Sequence, residues 1–177
     1  MAYTFDDPIA GYLQIAVADD GVTMTNGSSA IPTPPNVLGK IVCGFDPTYG
    51  EGEFIMLKGV ASTIVGSLVT YDGTTYQTTL AAVTANQARP VAVAMAAVGA
   101  AQFGWYQIAG TAVVARTTGV RLSPTVAVGV TSIGKVAASS SGKEILGARS
   151  ANAATVASAT ATVAVVMNRP HLQGRTT

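Results

Sequence analysis

From residue 50 onward, short runs of alternating apolar and polar positions recur between turn-forming residues. Residues 51–58 (EGEFIMLK) alternate loosely. Residues 67–79 (SLVTYDGTTYQTT) carry the clearest local signal, with Val69 and Tyr71 before Asp72-Gly73 and Tyr76 after it. Asp-Gly between β-formers is a favoured type I′ hairpin turn, because both central positions need positive φ. Residues 90–98 (PVAVAMAAV) open with a proline, which a strand start tolerates, and continue with alternating Val and Ala. Residues 103–108 (FGWYQI), then Ala109-Gly110, then residues 111–115 (TAVVA) predict a second hairpin. Residues 125–131 and 133–138 flank Gly134, and the long run 155–167 is expected to stop at Asn168-Arg169-Pro170. Short strands between Gly-rich turns predict an all-β fold, a compact β-barrel or β-sandwich. Alanine favours helix, but Val, Thr and Gly interrupt nearly every Ala run. At most one short helix is expected, near 79–87 or 150–157.

The first forty-five residues read differently, so the chain divides into an N-terminal extended segment, 1–45, and a β-rich core domain, 46–177. Residues 11–18 (GYLQIAVA) form one strand candidate, followed by the turn signal Asp19-Asp20-Gly21. Pro32, Pro34 and Pro35 fix φ and remove backbone donors, which favours polyproline II over sheet or helix. With four aspartates and little apolar surface, the segment reads as an arm that orders against a partner, with Ile31, Pro32, Pro34 and Pro35 as the partner-binding residues. On that reading a chain beginning at Val37 still folds. If residues 11–18 are instead a core strand, the same truncation unfolds the protein.

Composition narrows the classes. Of 177 residues, 49% are hydrophobic but only 11% are charged, against about 25% in ordinary soluble domains. So charge-poor a surface suits burial against copies of itself or a larger assembly better than life as a dissolved monomer. The net charge of +1 hides a split: through Asp72 the chain carries eight acidic and two basic residues, and beyond it eight basic and one acidic. The halves, −6 and +7, suggest head-to-tail complementarity. The basic residues are scattered singly, without the clusters and interleaved aromatics of a phosphate-tracking surface, so no nucleic-acid partner is expected. No signal peptide is visible. The apolar stretches 90–101 and 151–168 are too short or too polar to span a bilayer, so no membrane partner is expected.

Candidate chemistry is sparse. A single cysteine, Cys43, excludes a disulfide framework and a multi-cysteine zinc site; flanked by Ile41 and Val42, it reads as a small buried hydrophobe. Asp6-Asp7 and Asp19-Asp20 lack the spacing of a calcium loop and read as solvated turn charges. His171, the one histidine, reads as structural, and Ser139-Ser140-Ser141 lie outside any GxSxG elbow. Residues 99–104 lack the GxGxxG spacing of a phosphate cradle. Trp105-Tyr106 could stack a sugar, which makes a carbohydrate-binding β module one alternative, or anchor a core. No catalytic residue, metal site or cofactor is expected, and the chain reads as a non-enzyme.

From Glu53 to the C-terminus the chain resembles the decoration (capsid cement) proteins of tailed-bacteriophage heads. Carrying the resemblance are Lys58-Gly59-Val60-Ala61, residues 66–71 running into Asp72-Gly73, and residues 101–110 (AQFGWYQIAG) followed by Thr111-Ala112-Val113-Val114. Arg169-Pro170-His171-Leu172-Gln173-Gly174 closes the pattern. The resemblance implies a small β-rich structural protein on the outer surface of the virion, commonly a homotrimer, bound to the major capsid protein and made in the host cytoplasm. It implies no catalytic residues. A head fibre or tail structural protein is the other virion reading, although the chain shows no repeats or heptads.

Overall fold

The computed structural model describes residues 3–6, 12–26 and 29–175, and of residues 22–26 and 29–32 it describes the backbone alone. The described residues are all β, with no helix. Twelve strands form one antiparallel sheet: β1 (Thr4–Phe5), β2 (Ala18–Asp19), β5 (Ile41–Asp46), β6 (Gly50–Lys58), β7 (Leu68–Tyr71), β8 (Thr78–Leu80), β9 (Val91–Ala94), β10 (Phe103–Ala115), β11 (Ala127–Ser132), β12 (Lys135–Ala138), β13 (Glu144–Ser150) and β14 (Thr162–Leu172). The main path runs β1-β5-β6-β10-β14-β13-β11-β12, and its ends do not meet, so the sheet is not a closed barrel. β3 (Val22–Asn26) and β4 (Ser29–Thr33) pair only with each other, as a separate hairpin.

The long strand β10 organises the rest. Its first half pairs with β6 on one edge and with β2 and β9 on the other; its second half pairs with β14. The branch β9-β7-β8 and the branch β14-β13-β11-β12 thus leave the same edge of β10 and enclose a core between them. Leu68, Val91 and Val93 pack there with Ala112, Val114, Val128, Val163 and Val165. The opposite face of β7 and β9 packs Val69, Ala92 and Ala94 with Ile55, Leu57, Tyr106 and Ile108. A third cluster holds Trp105, Phe103, Phe54 and Met56 with Tyr3 and Ile15 of the N-terminal segment.

A β-bulge in β10 reverses the side-chain alternation. Gln107 pairs with Phe54 and Ala109 with Glu53, which leaves Ile108 as the extra residue. Odd positions of β10 therefore face the Trp105 cluster before the bulge, and even positions share that face after it. Gly110 completes the distortion at φ +89°, and any Cβ there would strike the Glu51 carbonyl. This is why 103–115 is one continuous strand and not the hairpin that Ala109-Gly110 suggested.

Several other expectations are corrected. β14 runs through Pro170, because Arg169 at φ +42° opens a second irregularity opposite Gly147 and pairing resumes at His171. Neither 79–87 nor 150–157 is helical, and Asn86 at positive φ breaks the first stretch outright. β7 and β8 do form a hairpin, but over residues 72–77 and without a two-residue type I′ turn. The Asp72 carboxylate accepts the Thr74 and Thr75 amides at 2.9 and 2.7 Å, and its carbonyl accepts the Tyr76 amide.

The N-terminal segment is anchored in the core at Tyr3 and Ile15. Ile15 is buried, the Trp105 indole donates to the Leu13 carbonyl at 2.7 Å, and the Tyr3 hydroxyl donates to the Thr111 carbonyl at 2.8 Å. Phe5 meets Trp105 edge-on at 5.8 Å. Residues 12–17 are nonetheless not a strand, and only Ala18–Asp19 pairs with β10. β5 pairs along its whole length with β6, so the division drawn at 45/46 falls inside a strand of the main sheet.

Candidate interaction surface

Two surfaces stand apart from the packed core, and they arise from different parts of the chain. The first is the β3–β4 hairpin. Its root lies at Gly21 and Thr33, where Gly21 at φ +75° passes against the Thr33 carbonyl and the Phe103 ring. On the return, the Asn36 side chain accepts the Leu13 amide at 3.0 Å. Thr23 pairs with Pro32 and Met24 with Ile31, so residues 29–33 are strand and not polyproline II. A hairpin that pairs with nothing else has a free outer edge, where a proline costs no second partner. Pro34 and Pro35 follow it, half-buried. The side chains of Ile31 and Pro32 lie outside the described residues.

The second surface is the sheet face opposite the Trp105 cluster. On β5 the register sets Ile41, Cys43 and Phe45 in one row, each exposed, across from Ile55, Glu53 and Glu51 of β6. Cys43 is therefore exposed and not buried: β5 lies near the sheet's end, and no described residue covers this side of it. A groove of about 300 Å³ lies between this row and Ala109-Gly110, lined also by Asp6, Glu51, Gly52 and Glu53. The same face continues through Thr111 and Val113 of β10, Ala164 and Val166 of β14, Arg149 of β13 and Ala127 of β11.

Charge on this face is graded. At the β6 end Glu53 takes the Arg169 guanidinium at 2.9 Å, which raises the arginine above its ordinary pKa. Among the described residues this is the one ion pair, and Asp6 and Glu51 have none. At the far end Lys135 and Arg149 are exposed, Lys143 is half-buried, and Glu144 is the carboxylate among them.

The remaining sequence candidates are structural. Trp105 and Tyr106 are fully buried, so they present no ring to a sugar, and the carbohydrate platform is corrected on that ground. Burial, offset in part by the Thr78 hydroxyl, pushes the Tyr106 phenol up to about 12. Asp19 accepts the Gly21 amide and Asp20 the Gln102 side chain, as turn charges do. His171 is exposed on β14 opposite Leu146. Arg116, which nothing in its sequence context singled out, is buried with its guanidinium on the carbonyls of Val120, Ala157, Ser158 and Thr160. No protein-family model, no curated protein and no solved structure matches this chain.

Proposed function

We propose that this protein is a structural component of a tailed-bacteriophage virion: it binds the outside of the head as a homotrimer and cements neighbouring major capsid subunits. The observation that carries the reading is the division of labour within the chain. A β body holds the N-terminal segment in its core, and a hairpin that pairs with no strand of that body leaves it at Gly21 and returns at Thr33. Such a hairpin offers backbone edges and side chains to a neighbour without disturbing the sheet that anchors it. In this reading Ile31 and Pro32 on β4, with Pro34 and Pro35 behind it, touch the major capsid protein. The resemblance to capsid cement proteins also supports it; the residues that carry it lie on β7 and β10 and around the C-terminal ends of β6 and β14. The role needs no cofactor, nucleic acid or membrane.

The test is cosedimentation with matured capsids of the phage whose genome encodes the chain, stripped of accessory proteins. The full chain should pellet saturably. A variant with residues 22–33 excised and Gly21 joined to Pro34 by a short Gly-Ser link should melt cooperatively yet stay in the supernatant. A full chain that stays in the supernatant at high micromolar concentration refutes the reading.

A further inference from the structure

We infer that the β5–β6 end of the open sheet face is the seat of a second copy of this chain, which presents its β11–β12–β13 end, so that copies associate head to tail. The inference deepens the self-association in the reading above and is independent of capsid binding. The sheet path sets the two ends apart, with β5-β6 near one terminus and β13-β11-β12 at the other. Each end combines exposed apolar side chains with an excess of one sign of charge. At the first, Phe45 (49% exposed), Ile41 (39%) and Cys43 stand beside Glu51, Glu53 and Asp6, with Lys40 before β5 and the Arg169 that pairs with Glu53 as the opposing charges. At the second, Ile133 (62%) and Lys135 lie at the β11–β12 turn, Lys143 lies beside Val130 and Arg149 beside Ala127 at the start of β11, with Glu144 as the opposing charge.

Like ends repel and unlike ends attract, which selects a heterologous contact over an isologous one. The concave member is the acidic end: the groove there is about 300 Å³ and is lined by Cys43 and the small residues Gly52, Ala109 and Gly110, which suits an incoming apolar side chain such as that of Ile133. Among the described residues Asp6 and Glu51 have no ion pair, nor do Lys135 and Arg149. Burial without partners would be costly for each, and a neighbouring copy supplies the opposite sign. A heterologous contact runs on as a filament unless the rotation closes, and a closed ring is the form that agrees with the homotrimer proposed above.

Cys43 is a built-in reporter, since it is the one cysteine and lies in the seat. The full chain should show a closed-oligomer mass by light scattering, and maleimide should label Cys43 at least tenfold more slowly than in dissociated variants. E51K at one end, or K135E with R149E at the other, should give folded monomers with a rapidly labelled Cys43. All three substitutions together should restore both the mass and the protection. The milder E51Q and R149Q keep the test alive if a reversal unfolds the chain, and each should weaken assembly. A wild-type monomer at every concentration, single-end variants that assemble unchanged, a folded triple variant that stays monomeric, or an oligomer with Cys43 fully reactive would each overturn the inference. Capsid pelleting does not enter, so this can fail while the cement reading stands, and the reverse.

Discussion

Two buried polar side chains set the terms on which this core is stable. Tyr106 keeps its proton to about pH 12 in the folded chain, against about 10 when unfolded. Between those values the native state holds a proton that the unfolded state has released, so stability falls as pH rises through the window. The loss from this one group is about 1.4 kcal/mol at pH 11. Tyr3 and Tyr71 are raised by burial as well and add in the same direction. Urea unfolding at pH 8 and pH 11 should therefore show a marked drop that is smaller in Tyr106→Phe, and equal drops would refute the assignment. Arg116 is the second case. Its planar fork reaches four carbonyls from two loops, whereas a lysine ammonium is a single point with three donors. Arg116→Lys should leave part-buried carbonyls unpaired and lower stability by about 1–3 kcal/mol. A urea-derived loss below about 0.5 kcal/mol would show that the loops adapt.

Among the elements, the N-terminal segment and β10 repay the closest look. Excising 22–33 removes a hairpin that pairs only with itself, and the melt should stay cooperative. Deleting 1–36 also removes Tyr3, Ile15 and the Leu13 carbonyl from around Trp105. Two buried side chains and one hydrogen bond amount to about 5 kcal/mol or more, comparable with the whole stability of many domains, roughly 5–15 kcal/mol. The chain beginning at Val37 should therefore lose its cooperative transition by circular dichroism, and a retained one would show that the segment is dispensable. The contrast marks what local pattern can reveal. The strands and all-β class were legible because Val, Thr and aromatic residues alternate between turn formers. Residues 12–17 were not, because they enter the core through one carbonyl and one isoleucine without strand periodicity. The bulge at Ile108 was equally hidden: Gly110 reads the same in a turn as in a bulge, and only pairing with β6 distinguishes them. The exposure of Cys43 followed from the same limit. Ile41 and Val42 beside it suggested burial, but whether a face is covered depends on strand order, which a local pattern does not carry.

For the whole molecule, the decisive feature is that one strand supplies all three core clusters. β10 gives Ala112 and Val114 to the first, Tyr106 and Ile108 to the second, and Phe103 and Trp105 to the third. Loss of any cluster strips β10 of a packed neighbour and weakens the other two, so the clusters cannot melt independently. Trp105 is the one tryptophan and sits in the cluster that contains the N-terminal segment, so its fluorescence follows that cluster alone. Far-UV circular dichroism follows the sheet as a whole. In urea the two transitions should superimpose, with one midpoint and one slope. If the tryptophan signal changes first, the N-terminal cluster is a separate cooperative unit and β10 does not couple the clusters. Coincident curves in the wild type, with both shifted equally by Arg116→Lys, would extend the coupling from the loop at Val120 to the far end of β10, because that substitution touches no residue of the Trp105 cluster.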